Sequence, residues 1–196
     1  VARREMSTDP RAVRTRATLI EATIELLKTN RAESLSVSQI VKAGNLSRQV
    51  FYEHFADRDA LLYAAGEKIL EPSSVRAVKT VNASIEPDRL IEGLFETVNP
   101  YRDALRNLCD GPVHWRIHQY SVDKMLPFLE MELRENLERG GSELPDEHIR
   151  HTAELLACGV AAQLTDAIRE GRSPKEARHV MRVVRETLSA VKYDKP

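Results

Sequence analysis

The run Ser36-Val37-Ser38-Gln39-Ile40-Val41-Lys42-Ala43-Gly44-Asn45-Leu46-Ser47-Arg48-Gln49-Val50-Phe51-Tyr52-Glu53-His54-Phe55-Ala56-Asp57-Arg58-Asp59-Ala60-Leu61-Leu62 decides how this chain folds. Ser36 stands before Val37, Ile40 and Val41, the apolar positions of a short helix, and Gly44-Asn45 ends it because both residues tolerate the left-handed conformation of a tight turn. Ser47 caps a second short helix in which Val50, Phe51 and Phe55 face inward while Arg48, Gln49, Tyr52 and Glu53 point outward. Asp57 caps a further helix through Leu61, Leu62, Ala65, Ile69 and Leu70, which Pro72 is expected to break.

Upstream, Asp9 before Pro10 starts a longer helix whose apolar set Val13, Ala17, Ile20, Ile24 and Leu27 recurs at steps of three and four. Two short helices joined by a tight turn and supported by a longer one form a helix-turn-helix pattern. In such a unit the second helix fits the major groove of DNA, where exposed polar side chains reach base edges. Downstream, Glu71-Pro72-Ser73-Ser74 is the best boundary. Helices are expected near 75–83, 88–98, 101–109, 113–139, 146–170 and 174–192, with breaks at Pro87, Pro100, Gly111-Pro112, Gly140-Gly141, Pro145 and Gly171. No strand pattern, internal repeat or low-complexity tract is present, so the fold class is all-α.

Hydrophobic residues make up 42% and charged residues 30% of the 196, the balance of an ordinary globular protein. A net charge of -1 gives no overall basic excess, so it does not by itself indicate nucleic acid. The distribution is more telling: residues 1–16 hold Arg3, Arg4, Arg11, Arg14 and Arg16 against Glu5 and Asp9, whereas residues 61–196 hold 19 Lys plus Arg against 22 Asp plus Glu. No long apolar span and no apolar signal-peptide region occur, from which a cytoplasmic location and no membrane partner are expected. Cys109 and Cys158 lack metal or redox spacing and read as reduced packing residues.

The quoted run resembles the DNA-binding signature of the TetR family, through its Ala-Gly turn, serine cap, Tyr-x-His-Phe and Asp-Arg-x-x-Leu-Leu; Leu19-Ile20-Glu21-Ala22-Thr23-Ile24-Glu25-Leu26-Leu27 resembles that family's first helix. The resemblance covers about residues 14–63, a quarter of the chain. It departs at Asn45, since the branched apolar residue usual there comes one step later as Leu46. The acid Glu53 also lies on the reading helix, where it is unfavourable near phosphate unless it accepts from a cytosine amino group.

The resemblance implies a three-helix helix-turn-helix domain with a basic arm (1–56), a connecting helix (57–72) and a helical ligand-binding and dimerisation domain (73–196). It implies a homodimer on palindromic operator DNA, acting as a repressor released by an unidentified small-molecule effector, with no cofactor. Arg48, Gln49 and Tyr52 resemble base- or phosphate-contacting positions, with Val50 placed to touch a thymine methyl. Ser36, Ser38, His54 and Arg58 resemble phosphate contacts, with Ser47 at the start of the reading helix. Arg11, Arg14 and Arg16 are candidates for the minor groove or backbone. Bland readings compete: Tyr52 as core packing, His54 as a cap or packing residue, the tail arginines as solvated.

In the second half, aromatic and polarizable residues Phe95, Tyr101, Trp115, Tyr120, Met125 and Phe128 are candidate pocket lining, with ordinary core as the equal alternative. Leu155, Gly159, Ala162, Val180, Val184 and Leu188 belong to two helices richer in apolar positions than one stripe needs, and a symmetry mate would bury the surplus. His114 with His118 and His148 with His151 have spacings that could hold a metal, but no Cys or Asp cluster completes a shell, and chance placement is the better reading. No nucleophile elbow, phosphate loop or dinucleotide fingerprint is present, so the competing class, a helical enzyme or carrier, is the weaker one. An activator using the same DNA-binding module is the second alternative.

Overall fold

The carboxylate of Asp9 accepts from the Arg11 N–H at 2.8 Å and Pro10 occupies the first turn, so the first helix starts where its sequence signals place it. The computed structural model describes residues 7–81, 95–141, 143–176, 178–179 and 182–183. Its helices are α1 (Pro10–Leu27), α2 (Val37–Ala43), α3 (Arg48–His54), α4 (Arg58–Val81), α5 (Arg102–Cys109), α6 (His114–Arg139) and α7 (Asp146–Arg169). Single 3-10 turns lie at Ala32–Ser34 and Asn99–Tyr101. Among the described residues there is no strand, and the chain is all-α.

One expected break is absent. α4 runs through Pro72 to Val81, so the part of the helix expected at 75–83 that is described, 75–81, is its continuation. A proline inside a helix removes one hydrogen bond and crowds one carbonyl, and here Leu61, Leu62, Ala65 and Ile69, all buried, have already anchored the preceding turns. The helix expected at 88–98 is described only over its last residues, 95–98, and the one expected at 174–192 mostly lies outside the described residues. At its start Ser173 and Glu176 form reciprocal caps, the Ser173 N–H donating to Glu176 Oε2 at 2.6 Å and the Glu176 N–H to Ser173 Oγ at 3.3 Å.

The chain divides into two compact units, residues 1–72 with 100–123, and residues 73–99 with 124–196. In the first, α1 packs against α2, α3 and α5. Its core joins Leu19, Ile40, Val41, Phe51, Phe55, Leu61 and Ala64, flanked by Ile20, Leu26, Val37, Leu46 and Ala60. Residues 100–123 are held in this unit by specific contacts. Asn107 Nδ2 donates to the Leu27 carbonyl at 2.8 Å, closing the end of α1. A Cβ on Gly66 of α4 would stand 2.1 Å from Ile117 Cδ1 and 3.0 Å from Leu108 Cδ2, so only glycine allows that approach as it stands.

The second unit contains α7, whose buried positions Ile149, Ala153, Ala157, Ala161, Ala167 and Ile168 form one face. Thr152, Leu155, Cys158, Gly159 and Ala162 are exposed.

Candidate nucleic-acid interface

The two short helices are set by their caps. Ser36 Oγ accepts from the Gln39 N–H while Gln39 Oε1 accepts from the Ser36 N–H at 2.9 Å, a capping box that satisfies two otherwise orphaned donors of α2. Ser47 Oγ accepts from the Val50 N–H at 3.2 Å to start α3. Between them the turn closes on Asn45, the one described non-glycine residue with positive φ, at 53°. Gly44 keeps an ordinary φ of -81°. The Leu46 N–H donates to the Val41 carbonyl at 2.8 Å and the Asn45 N–H to the Lys42 carbonyl at 3.2 Å, which is the paired closure of a Schellman motif. Leu46, the displaced branched residue, packs on the core beside Ile40 and Val41. The extra residue is thus absorbed by a standard helix end.

α3 lies with Phe51 and His54 buried and Phe55 buried just beyond its end. Its other side presents Arg48, Gln49 and Tyr52 to solvent, Tyr52 at 50% exposure with its ring edge-on to Phe51 at 5.1 Å. Ser36, Ser38 and Ser47 are exposed as well, and Val50 is half-buried. One short helix therefore offers a cation, an amide and a phenol from a buried base, a set able to donate to phosphate and to base edges.

Three of the residues expected at the DNA turn toward the protein. His54 is only 1% exposed, because its position on α3 turns it into the core beside Phe51 and Phe55, and its side chain is not on the surface. Arg58 spends its guanidinium inside the protein: Nη1 donates to the carbonyls of Glu33 at 3.1 Å and Leu35 at 3.2 Å, while Nε and Nη2 reach Asp59 Oδ1 at 3.1 and 3.0 Å. Arg16, expected at the DNA, also turns inward. Its guanidinium lies 4.2 Å over the Phe55 ring and Nη1 donates to the His54 carbonyl at 3.2 Å. Arg11 and Arg14 are exposed near the start of α1.

The six aromatic and polarizable candidates fall in both units: Tyr101, Trp115 and Tyr120 in the first, Phe95, Met125 and Phe128 in the second. Phe95 is buried. Trp115 is not enclosed. It is 68% exposed and stacks on His118 at 5.3 Å, so its ring faces solvent. Beside it, Arg116 lies 4.0 Å over the Tyr63 ring, which meets Tyr120 edge-on at 6.5 Å. Burial, then a hydrogen bond to Glu67, push the Tyr63 phenol up to about 12. Of the six dimer candidates, Leu155, Gly159 and Ala162 are exposed on α7, whereas Val180, Val184 and Leu188 lie outside the described residues. Among the described residues no helix is long and apolar enough to cross a membrane.

A capped helix-turn-helix with a polar reading helix on a supporting three-helix core defines a DNA-binding domain of the regulator type. Residues 19–65 match the model of the bacterial regulatory proteins of the tetR family. Among solved structures the fold is similar to that of a candidate transcriptional regulator from Pseudomonas aeruginosa PAO1, at 21% identity over 95% of each chain, TM-score 0.63. It is also similar to Thermus thermophilus FadR, a TetR-family transcriptional repressor in complex with lauroyl-CoA, at 19% identity over 92% of this chain and 97% of that one, TM-score 0.61. A third is the dihydroxyacetone kinase operon activator DhaS, at 14% identity over 92% and 99%, TM-score 0.61. No curated protein matches the chain by sequence. Residues 19–65 thus match the helix-turn-helix region of the tetR family, and over the rest of the chain the likeness to these regulators is one of fold.

Proposed function

We propose that the chain represses transcription as a two-fold dimer that grips a palindromic operator through α3 and lets go when a small molecule binds. The observation that carries the DNA contact is the exposure of Arg48, Gln49 and Tyr52 on a helix whose opposite face is buried. Ser36, Ser38 and Ser47 flank it as phosphate contacts, and the half-buried Val50 is the candidate for a thymine methyl. Good base contacts are each worth about 1–3 kcal/mol. DNA selected from random sequence by the purified protein gives the operator. Tyr52→Ala and Arg48→Ala should then each weaken operator binding about tenfold or more while leaving the fold intact. Unchanged affinity in both would remove α3 from the interface.

Ligand control is supported by two similar folds, FadR with lauroyl-CoA and RolR with resorcinol, the latter at TM-score 0.56 and 19% identity over 87% of this chain and 84% of that one. Both ligands carry a substantial apolar part, and of the six candidates Phe95, Met125 and Phe128 belong to the second unit. The activator reading has DhaS in its favour. Transcription from the selected operator, measured with and without the protein, separates the two: repression lowers it, activation raises it.

A further inference from the structure

Two arginines outside the reading helix hold the helix-turn-helix at both ends. Arg58, the first residue of α4, reaches back to the carbonyls of Glu33 and Leu35, just ahead of the Ser36 cap that starts α2. Arg16, in α1, reaches the carbonyl of His54, the last residue of α3, and lies flat on Phe55, which follows it. The entrance and the exit of the reading unit are therefore each fastened to a longer helix by one guanidinium.

We infer that Arg16 and Arg58 are positioning residues for operator recognition, fixing the pitch of α3 against α1 and α4 without touching DNA; the inference rests on the DNA-binding reading above. The geometry separates this role from a phosphate contact. Arg58 uses four of its five N–H donors within the protein, on two carbonyls and on Asp59. Its charge is already met by the Asp59 carboxylate at 3.0 Å. Arg16 spends its planar face on Phe55, a contact that guanidinium makes well and that fixes the side chain's direction. Both holds are on backbone carbonyls near helix ends, where acceptors are left over by the helix itself or by the turn that leads into it. A reading helix displaced by about 1 Å loses several contacts together, since base-edge hydrogen bonds weaken steeply off their preferred geometry. Arg58 is also a side chain by which α4 grips the segment leading into α2, beside the core packing of Leu61 and Ala64.

Lysine distinguishes the two roles. An ammonium replaces a guanidinium at a phosphate as a point charge, but it cannot span two carbonyls and a carboxylate or lie flat on a ring while reaching a carbonyl. Arg16→Lys, Arg58→Lys, Arg16→Met and Arg58→Met are compared with wild type and with Arg48→Ala on the selected operator across a salt series, with a circular dichroism melt of each. Wild type should show the steep fall of affinity with salt that counterion release gives, and Arg48→Ala should flatten that slope by about one unit. The Lys and Met variants at positions 16 and 58 should all lose tenfold or more in affinity at wild-type slope. A slope flattened by about one in the Met variants, full affinity in the Lys variants, or full affinity in all four overturns the inference. Where a Met variant does not fold, its Lys counterpart decides. Absence of salt-sensitive binding in wild type itself would sink the DNA-binding reading and the inference with it, an outcome distinct from failure of the arginines alone.

Discussion

At the scale of single residues, the turn between α2 and α3 makes a prediction against intuition. Gly44 has an ordinary φ, and a Cβ there would meet Ile40 O, Leu46 Cδ1 and Thr18 Cγ2 at 3.6 Å, ordinary contact distance, so Gly44→Ala should be tolerated. Asn45 bears the left-handed conformation. Asn45→Val should destabilise the protein by about 1–2 kcal/mol and Asn45→Gly should be neutral or slightly stabilising, read from the urea midpoint of unfolding. The same closure recurs after α7 with Gly171 at the positive φ of 73° and the Arg172 N–H donating to the Ala167 carbonyl at 2.9 Å, which shows what the substitution would restore. A second residue-scale prediction concerns Trp115 and His118. Burial, then the nearby charge of His114, lower the His118 pKa from its ordinary value of 6.5. An imidazolium stacked on an indole quenches it, so Trp115 emission should fall as pH drops, with a midpoint below 6.5, and His118→Gln should abolish the step. A midpoint at or above 6.5 would contradict the lowering by burial and His114, and an unchanged emission would contradict the stacked geometry. The direction for stability follows from linkage: the depressed folded value makes this group's contribution present above pH 6.5 and lost as pH falls towards the folded pKa.

At the scale of elements, Gly66 sets how closely α4 approaches Leu108 of α5 and Ile117 of α6. Alanine gains about 1 kcal/mol of helix propensity over glycine, whereas overpacking costs about 1–3 kcal/mol. Gly66→Ala should therefore come out neutral to moderately destabilising in wild type, and clearly stabilising once Ile117→Ala has removed the obstructing methyl. The double-mutant cycle measures this coupling, and additive effects would mean that the helices do not meet there. Elements also show what was legible beforehand. Helix starts at Asp9, Ser36 and Ser47 were readable because a cap and its N–H lie within three residues of each other. The Arg16 hold on His54 joins residues 38 apart and the Arg58 hold on Leu35 residues 23 apart, and no local pattern distinguishes such an arginine from one aimed at phosphate. His54 carried the same ambiguity: its place in Tyr-x-His-Phe suggested a phosphate contact, while its register with Phe51 and Phe55, one turn before it and one residue after it, turns it into the core. Pro72 misled for the opposite reason, since a local breaker was overruled by the buried turns before it.

At the scale of the whole molecule, the exposed face of α7 carries the dimer prediction. Leu155 is 76% exposed, and Cys158, Gly159 and Ala162 share its side of the helix at steps of three and four. A Cβ added to Gly159 would meet nothing within 4 Å, so there is open space for a neighbouring helix to approach closely. A single large exposed leucine is ordinary on a protein surface, but a stripe of small residues around it permits helix-to-helix contact between identical copies. Leu155→Glu with Gly159→Glu places charges on this face and leaves the buried Ala153, Ala157 and Ala161 untouched, so each chain should keep its helicity by circular dichroism. Sedimentation should then show monomers, against dimers expected for wild type. The consequence for DNA is quantitative. Two reading helices on half-sites about 34–36 Å apart double the number of neutralised phosphates, and the slope of log affinity against log salt scales with that number. The monomeric variant should bind an isolated half-site with about half the wild-type salt slope on the full palindrome, and it should no longer distinguish the palindrome from one half-site beyond the statistical factor of about two. Dimers that persist with both glutamates in place would move the interface off α7, and a monomer that kept the full slope and the full preference for the palindrome would show that the two-fold gripping of the operator does not depend on this face.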